Sequence, residues 1–138
     1  FIKRRNKQKL NMGQQQILLL VVSVIIVVLA ITIGIEMFAA NSKTSNRDGV
    51  VSELNNLGTL AIQFYKKPES FWGGSSSFIS WEIPEKMDST SNGIYSVACT
   101  NLNATITGFG QEVGNDGANP IEMVAVVTSA SIVISVVN

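Results

Sequence analysis

The chain has 138 residues, about the length of one ordinary domain, with ten basic and ten acidic residues, no histidine and one cysteine. The absence of histidine excludes Ser–His and Cys–His nucleophile pairs and histidine-based metal sites, and the lone Cys99 excludes an intrachain disulfide. The charge is unevenly placed. Residues 1–13 hold Lys3, Arg4, Arg5, Lys7 and Lys9 and no acid, leaving five basic against ten acidic residues in 14–138. A basic tail of that kind argues against a nucleic-acid-binding surface on the main body.

After this tail the chain is apolar. From Ile17 to Ile35 there is no charged residue, and the only polar side chains are Ser23 and Thr32. As a helix the run spans about 30 Å, the thickness of a bilayer core. The basic residues before it place that end in the cytoplasm, with the chain beyond Glu36 outside. A secretory signal peptide is disfavoured. Its apolar core is shorter, and Phe38 occupies a position where cleavage near Ala39–Asn41 wants a small residue. The run alone does not separate a plain membrane anchor from the spine of an assembly. Extraction from lipid into a bundle would exchange lipid contacts for helix–helix contacts. The expected contact positions are Ile17, Leu18, Val21, Val22, Ile25, Ile26, Leu29 and Ile33.

The helical pattern continues past Phe38. Val50, Leu54, Leu57, Ala61 and Phe64 are spaced to form one apolar stripe, expected to pack on a sheet. Lys66-Lys67-Pro68 supplies cations for the C-terminal end of the helix and then a stop. The predicted organisation is a basic tail over 1–13 and a long helix over 14–67. The helix divides into an apolar spine at 17–35 and an amphipathic half at 36–67. Residues 40–46, ANSKTSN, are its weakest part and a candidate kink.

Residues 68–138 read as a small β-rich domain. Ile79, Trp81 and Ile83 alternate with polar residues, which predicts a strand ending at Pro84. Further strands are predicted over Ile94–Thr100, around Leu102–Thr107, over Ile121–Thr128 and over Ser131–Val137. A Gly/Asn-rich loop is predicted over Gly108–Pro120. The fold class is α+β, a long N-terminal helix packed on an antiparallel sheet of four or five strands. Cys99 is expected as a small buried residue on a strand. The aromatics Phe71, Trp72, Phe78 and Trp81 are expected mainly to pack the sheet on the helix, with an adhesive patch as the alternative. The uncharged run SIVISVV is an aggregation-prone edge unless covered. Asn103-Ala104-Thr105 fits an N-glycosylation acceptor. There is no phosphate-binding loop and no cysteine cluster, and the carboxylates are scattered singly. Neither an enzyme nor a cofactor or metal is expected.

The basic leader closing on Gly13, the apolar run from Ile17 and the amphipathic half Val50–Tyr65 together resemble a type IV pilin. The resemblance covers roughly residues 1–67. It implies cleavage by a prepilin peptidase between Gly13 and Gln14, residence in the cytoplasmic membrane, then assembly with copies of itself into an extracellular filament by dedicated machinery. Adhesion, motility or DNA uptake would be the function. Two departures stand out. Asn11-Met12 precedes the glycine where Lys or Arg is usual, and QQQ follows it where the family carries an early glutamate. Met12 is an alternative start that would shorten the leader to Met12-Gly13. The alternatives are a pseudopilin of a secretion system and a single-span protein with an extracytoplasmic binding domain.

Overall fold

The computed structural model describes the backbone of residues 2–138 and the side chains of residues 12–138. The basic side chains of the N-terminal tail lie outside the described residues. Helix α1 runs over Ile2–Lys66, followed by a short 3₁₀ turn at Glu69–Phe71 and four strands. These are β1 (Gly93–Cys99), β2 (Ala104–Val113), β3 (Pro120–Val127) and β4 (Ile132–Val136). The strands form one antiparallel sheet in the order β1-β2-β3-β4. The chain divides into two compact units, Phe1–Ala40 and Asn41–Asn138. The α+β class expected from the sequence is the observed one, with four strands.

In the second unit the predicted stripe meets the sheet. Val50, Leu54, Leu57 and Ala61 are fully buried, and Phe64 is half-buried at the edge of the same core. They pack on the inward-facing rows Tyr95, Ala104, Ile106, Ile121, Met123, Ala125 and Val127, with Phe78 and Trp81 completing the cluster. Residues 40–46, expected to weaken the helix, are helical. Two of their polar side chains, those of Ser42 and Asn46, are bonded to the sheet. Ser42 Oγ donates to Glu112 Oε1 at 2.7 Å, and Asn46 Oδ1 accepts the backbone N–H groups of Gln111 and Glu112 at 2.9 and 3.2 Å. Tertiary hydrogen bonds thus offset poor helix propensity there.

Three other expectations are corrected. Residues 79–83 form no strand: Ile79 and Ser80 make a turn closed by the Trp81 N–H bond to the Phe78 carbonyl at 2.9 Å, residues 81–83 are irregular, and a second turn follows, with the Met87 N–H bonded to the Pro84 carbonyl at 2.7 Å. The apparent alternation there reflects one buried side chain, Trp81, rather than a pleated face; Ile79 is exposed. The predicted loop at 108 begins too early, because β2 continues to Val113. Gly108 and Gly110 are inward-facing positions of that strand. A Cβ at Gly108 would lie 2.8 Å from the Tyr95 ring, and one at Gly110 would collide with Asn46 Oδ1, so these glycines permit close approach rather than break the strand. Finally, the aromatics separate. Phe78 and Trp81 are in the core, whereas Phe71 and Trp72 are exposed.

The helix end is closed by the loop that follows. Gly74 N–H donates to the Phe64 carbonyl at 2.8 Å, Ser75 to Lys67 at 2.9 Å and Ser76 to Tyr65 at 2.8 Å. Carbonyls that the last turn leaves without helical partners are thereby satisfied. The two sheet edges differ. The 88–90 segment lies along β1, through a Ser89–Ile94 bridge and a Tyr95 N–H bond to the Asp88 carbonyl. The uncharged run expected at an edge forms β4, the strand at the other side of the sheet. Cys99 sits half-buried on β1, its Sγ donating to the Trp81 carbonyl at 3.4 Å.

Leu54 and Leu57 lie at the centre of the interface. Replacing either with alanine is expected to destabilise the unit by about 2–5 kcal/mol. Chemical denaturation of the full chain followed by near-ultraviolet circular dichroism measures this. A loss below about 1 kcal/mol at both positions would show that the stripe does not carry the core.

Candidate functional site

The first unit is a helical segment, and its described large apolar side chains are exposed. Every described residue from Gln14 to Ala40 is exposed. Seventeen large hydrophobic side chains from Ile17 to Phe38 are among the exposed ones. Soluble monomers rarely present contiguous apolar surface beyond a few hundred Å², so such a surface requires lipid or a partner. The helix is long and apolar enough to cross a membrane.

All eight expected contact positions, from Ile17 to Ile33, are exposed, with Ile17 at 66% and Val22 at 45%. The two polar side chains in the run turn back on the helix. Ser23 Oγ donates to the Leu19 carbonyl at 2.7 Å and Thr32 Oγ1 to that of Val28 at 2.9 Å. Their hydroxyl protons therefore need no outside partner, and the surface they belong to can enter an apolar medium at small cost. Gly13 and Gln14, the expected processing positions, lie within helix α1, and Gln14 is exposed. Asn103 is exposed in the tight turn between β1 and β2, its N–H donating to Thr100 Oγ1 at 3.1 Å.

One ionisable cluster fixes the amphipathic half of the helix to the sheet. The Glu53 carboxylate accepts Thr90 Oγ1 and Asn92 Nδ2, each at 2.7 Å. Asn46 Nδ2 reaches the Asn92 carbonyl at 2.8 Å. The Tyr95 hydroxyl is buried beside the same carboxylate, outside hydrogen-bond geometry. Burial pushes the Glu53 carboxyl up; the approach of the Tyr95 hydroxyl and the bonds from Thr90 and Asn92 together outweigh it, and the net displacement is downward. Burial first, and then the Glu53 charge, push the Tyr95 phenol above its ordinary value. The sequence pattern gives no signal for this cluster, since Glu53 and Asn46 read simply as the polar face of a helix. Among the described residues no group of His, Cys, Asp and Glu side chains is placed to hold a metal ion.

A second acid-sensitive point is the β2–β3 turn. Asp116 Oδ1 accepts the N–H groups of Ala118 and Asn119, each at 2.9 Å, which holds that exposed carboxyl well below its usual range.

The Glu53 contribution has a definite pH sign. Its folded value is below the unfolded value near 4.5, so its stabilisation is present above that pH and lost as pH falls through the folded value. Glu53→Gln is expected to be less stable than the parent chain at pH 7 by about 1 kcal/mol. The difference should shrink below about pH 4.5, while the Asp116 contribution remains in both proteins. Thermal melts of both proteins between pH 3 and 7 test this. A difference that is constant with pH would remove the carboxylate from the account.

Comparison of the chain with protein-family models, with curated proteins and with solved structures gave no match, so the functional reading rests on the residues and their geometry.

Proposed function

We propose that the chain is a structural subunit of a type IV pilin-like filament outside the cell, without enzymatic activity. The observation that carries this reading is the pairing of two helical surfaces. One, from Ile17 to Phe38, has every apolar side chain exposed. The other, from Val50 to Phe64, is covered by its own sheet. A helix used only to add core to a small domain would have no reason to extend its apolar surface so far.

In this reading the apolar segment resides first in the cytoplasmic membrane. A prepilin peptidase cuts between Gly13 and Gln14, and assembly machinery moves the subunit from lipid into a bundle of identical helices. Within the bundle Val and Ile side chains interdigitate, and Ser23, Ala30 and Gly34 allow close approach of backbones. Gln14, Gln15 and Gln16 offer hydrogen bonds in place of an early charge, which suits a low-dielectric core. The unit Asn41–Asn138 would face water, supplying the surface for adhesion, motility or DNA capture.

Electron microscopy of material sheared from cells expressing the chain tests the proposal. Filaments whose density fits the chain are expected, and mass spectrometry of the same specimen should find subunits beginning at Gln14. The double variant Val21→Asp, Ile25→Asp should yield none, because each buried charge costs about 3 kcal/mol or more in lipid. A detergent-soluble monomer with no filament, or an undiminished filament yield from the variant, would reject the reading.

A further inference from the structure

The second unit carries a surface that its own fold does not use. Trp72 is 92% exposed and follows the 3₁₀ turn in the left-handed conformation, φ 59° and ψ 38°. That conformation disfavours any residue with a Cβ, and glycine is the residue expected there. Trp72 buries almost nothing in return. Folding alone would not select a bulky aromatic at a strained, solvent-facing position. Trp72 flanks a groove of about 430 Å³, also lined by Phe64, Glu69, Ser77 and Ser80. The exposed ring of Phe71 adjoins Trp72 in the chain.

The chemistry of the lining narrows the ligand. The Trp72 face is an accessible π surface, suited to the polarised C–H face of a pyranose ring. The Ser77 and Ser80 hydroxyls donate and accept, and the Glu69 carboxylate accepts from ligand hydroxyls. Among the described residues no basic side chain lines the groove, which disfavours phosphate, sulfate or carboxylate ligands. The volume lies in the range of small-molecule sites and suits one or two sugar rings. From this juxtaposition of an unburied tryptophan, hydroxyls and one carboxylate around a groove, we infer that residues 64–80 form a binding site for neutral oligosaccharides. The inference concerns the unit Asn41–Asn138 and stands whether or not the chain polymerises.

The test uses the full chain in a polyoxyethylene detergent, whose headgroup is not a sugar. Cellobiose, maltose and chitobiose are titrated separately while tryptophan emission is recorded. Trp81 is buried and supplies a constant background. A saturable change with a millimolar midpoint is expected for at least one sugar. Trp72→Gly should weaken binding at least tenfold, by a calorimetric titration that needs no fluorophore, while melting at or above the parent temperature because the backbone strain is relieved. Glu69→Gln, which leaves the backbone alone, should weaken binding severalfold. Absence of a saturable response to all three sugars would overturn the inference. So would unchanged binding in both variants, or a response to choline chloride alone, which would mark an aromatic cation site instead.

Discussion

A helix satisfies its own backbone, but it does not cover its own side chains. That constraint governs this chain. From Ile17 to Phe38 the backbone bonds are closed, Ser23 and Thr32 return their protons to carbonyls four residues back, and all the large apolar side chains remain exposed. At about 25 cal/mol per Å² of apolar surface, leaving such a face in water is unfavourable by many times the stability of a small domain. Lipid removes the cost, and so does a bundle of identical helices. The amphipathic continuation obeys the same constraint with a different solution, because the stripe from Val50 to Ala61 is buried by a sheet from the same chain.

The second unit holds that solution with polar contacts as well as apolar ones. Leu54 and Leu57 anchor the sheet by burial, which is strong but non-directional. Direction comes from Asn46, which binds the end of β2, and from Glu53, which binds the turn before β1. The two contacts lie on either side of Val50 and fix the register between helix and sheet. The loop after Lys66 closes the helix through Gly74, Ser75 and Ser76, and so holds residues 69–80 in a defined shape. The exposed Trp72 and its groove sit on that loop.

Much of this was legible in the sequence for simple reasons. The stripe spacing reports a helix face directly, and a charge-free run of bilayer length has few meanings. The α+β class followed from a helical period giving way to turn residues and β-branched runs. The failures are equally physical. Gly108 and Gly110 looked like loop residues because composition cannot tell a glycine that breaks a strand from one that admits Tyr95 and Asn46. Ile79, Trp81 and Ile83 imitated a strand because alternation over five residues also arises in a turn followed by irregular chain. Four aromatics lay within eleven residues, and only the fold separated buried Phe78 and Trp81 from exposed Phe71 and Trp72. The Glu53 cluster was invisible, since its partners Thr90 and Asn92 are nearly forty residues away in the chain.

In the proposed filament the apolar face is covered by copies of itself after it leaves the membrane. Cysteine cross-linking measures this most directly. In a Cys99→Ser background, Val22→Cys and Leu29→Cys introduced together give each subunit two reactive positions on the face. After mild oxidation, cell-surface material should run as a ladder of covalent oligomers, and the membrane fraction chiefly as monomer. Monomer alone in the surface fraction, with both thiols accessible to a water-soluble alkylating reagent, would contradict the account.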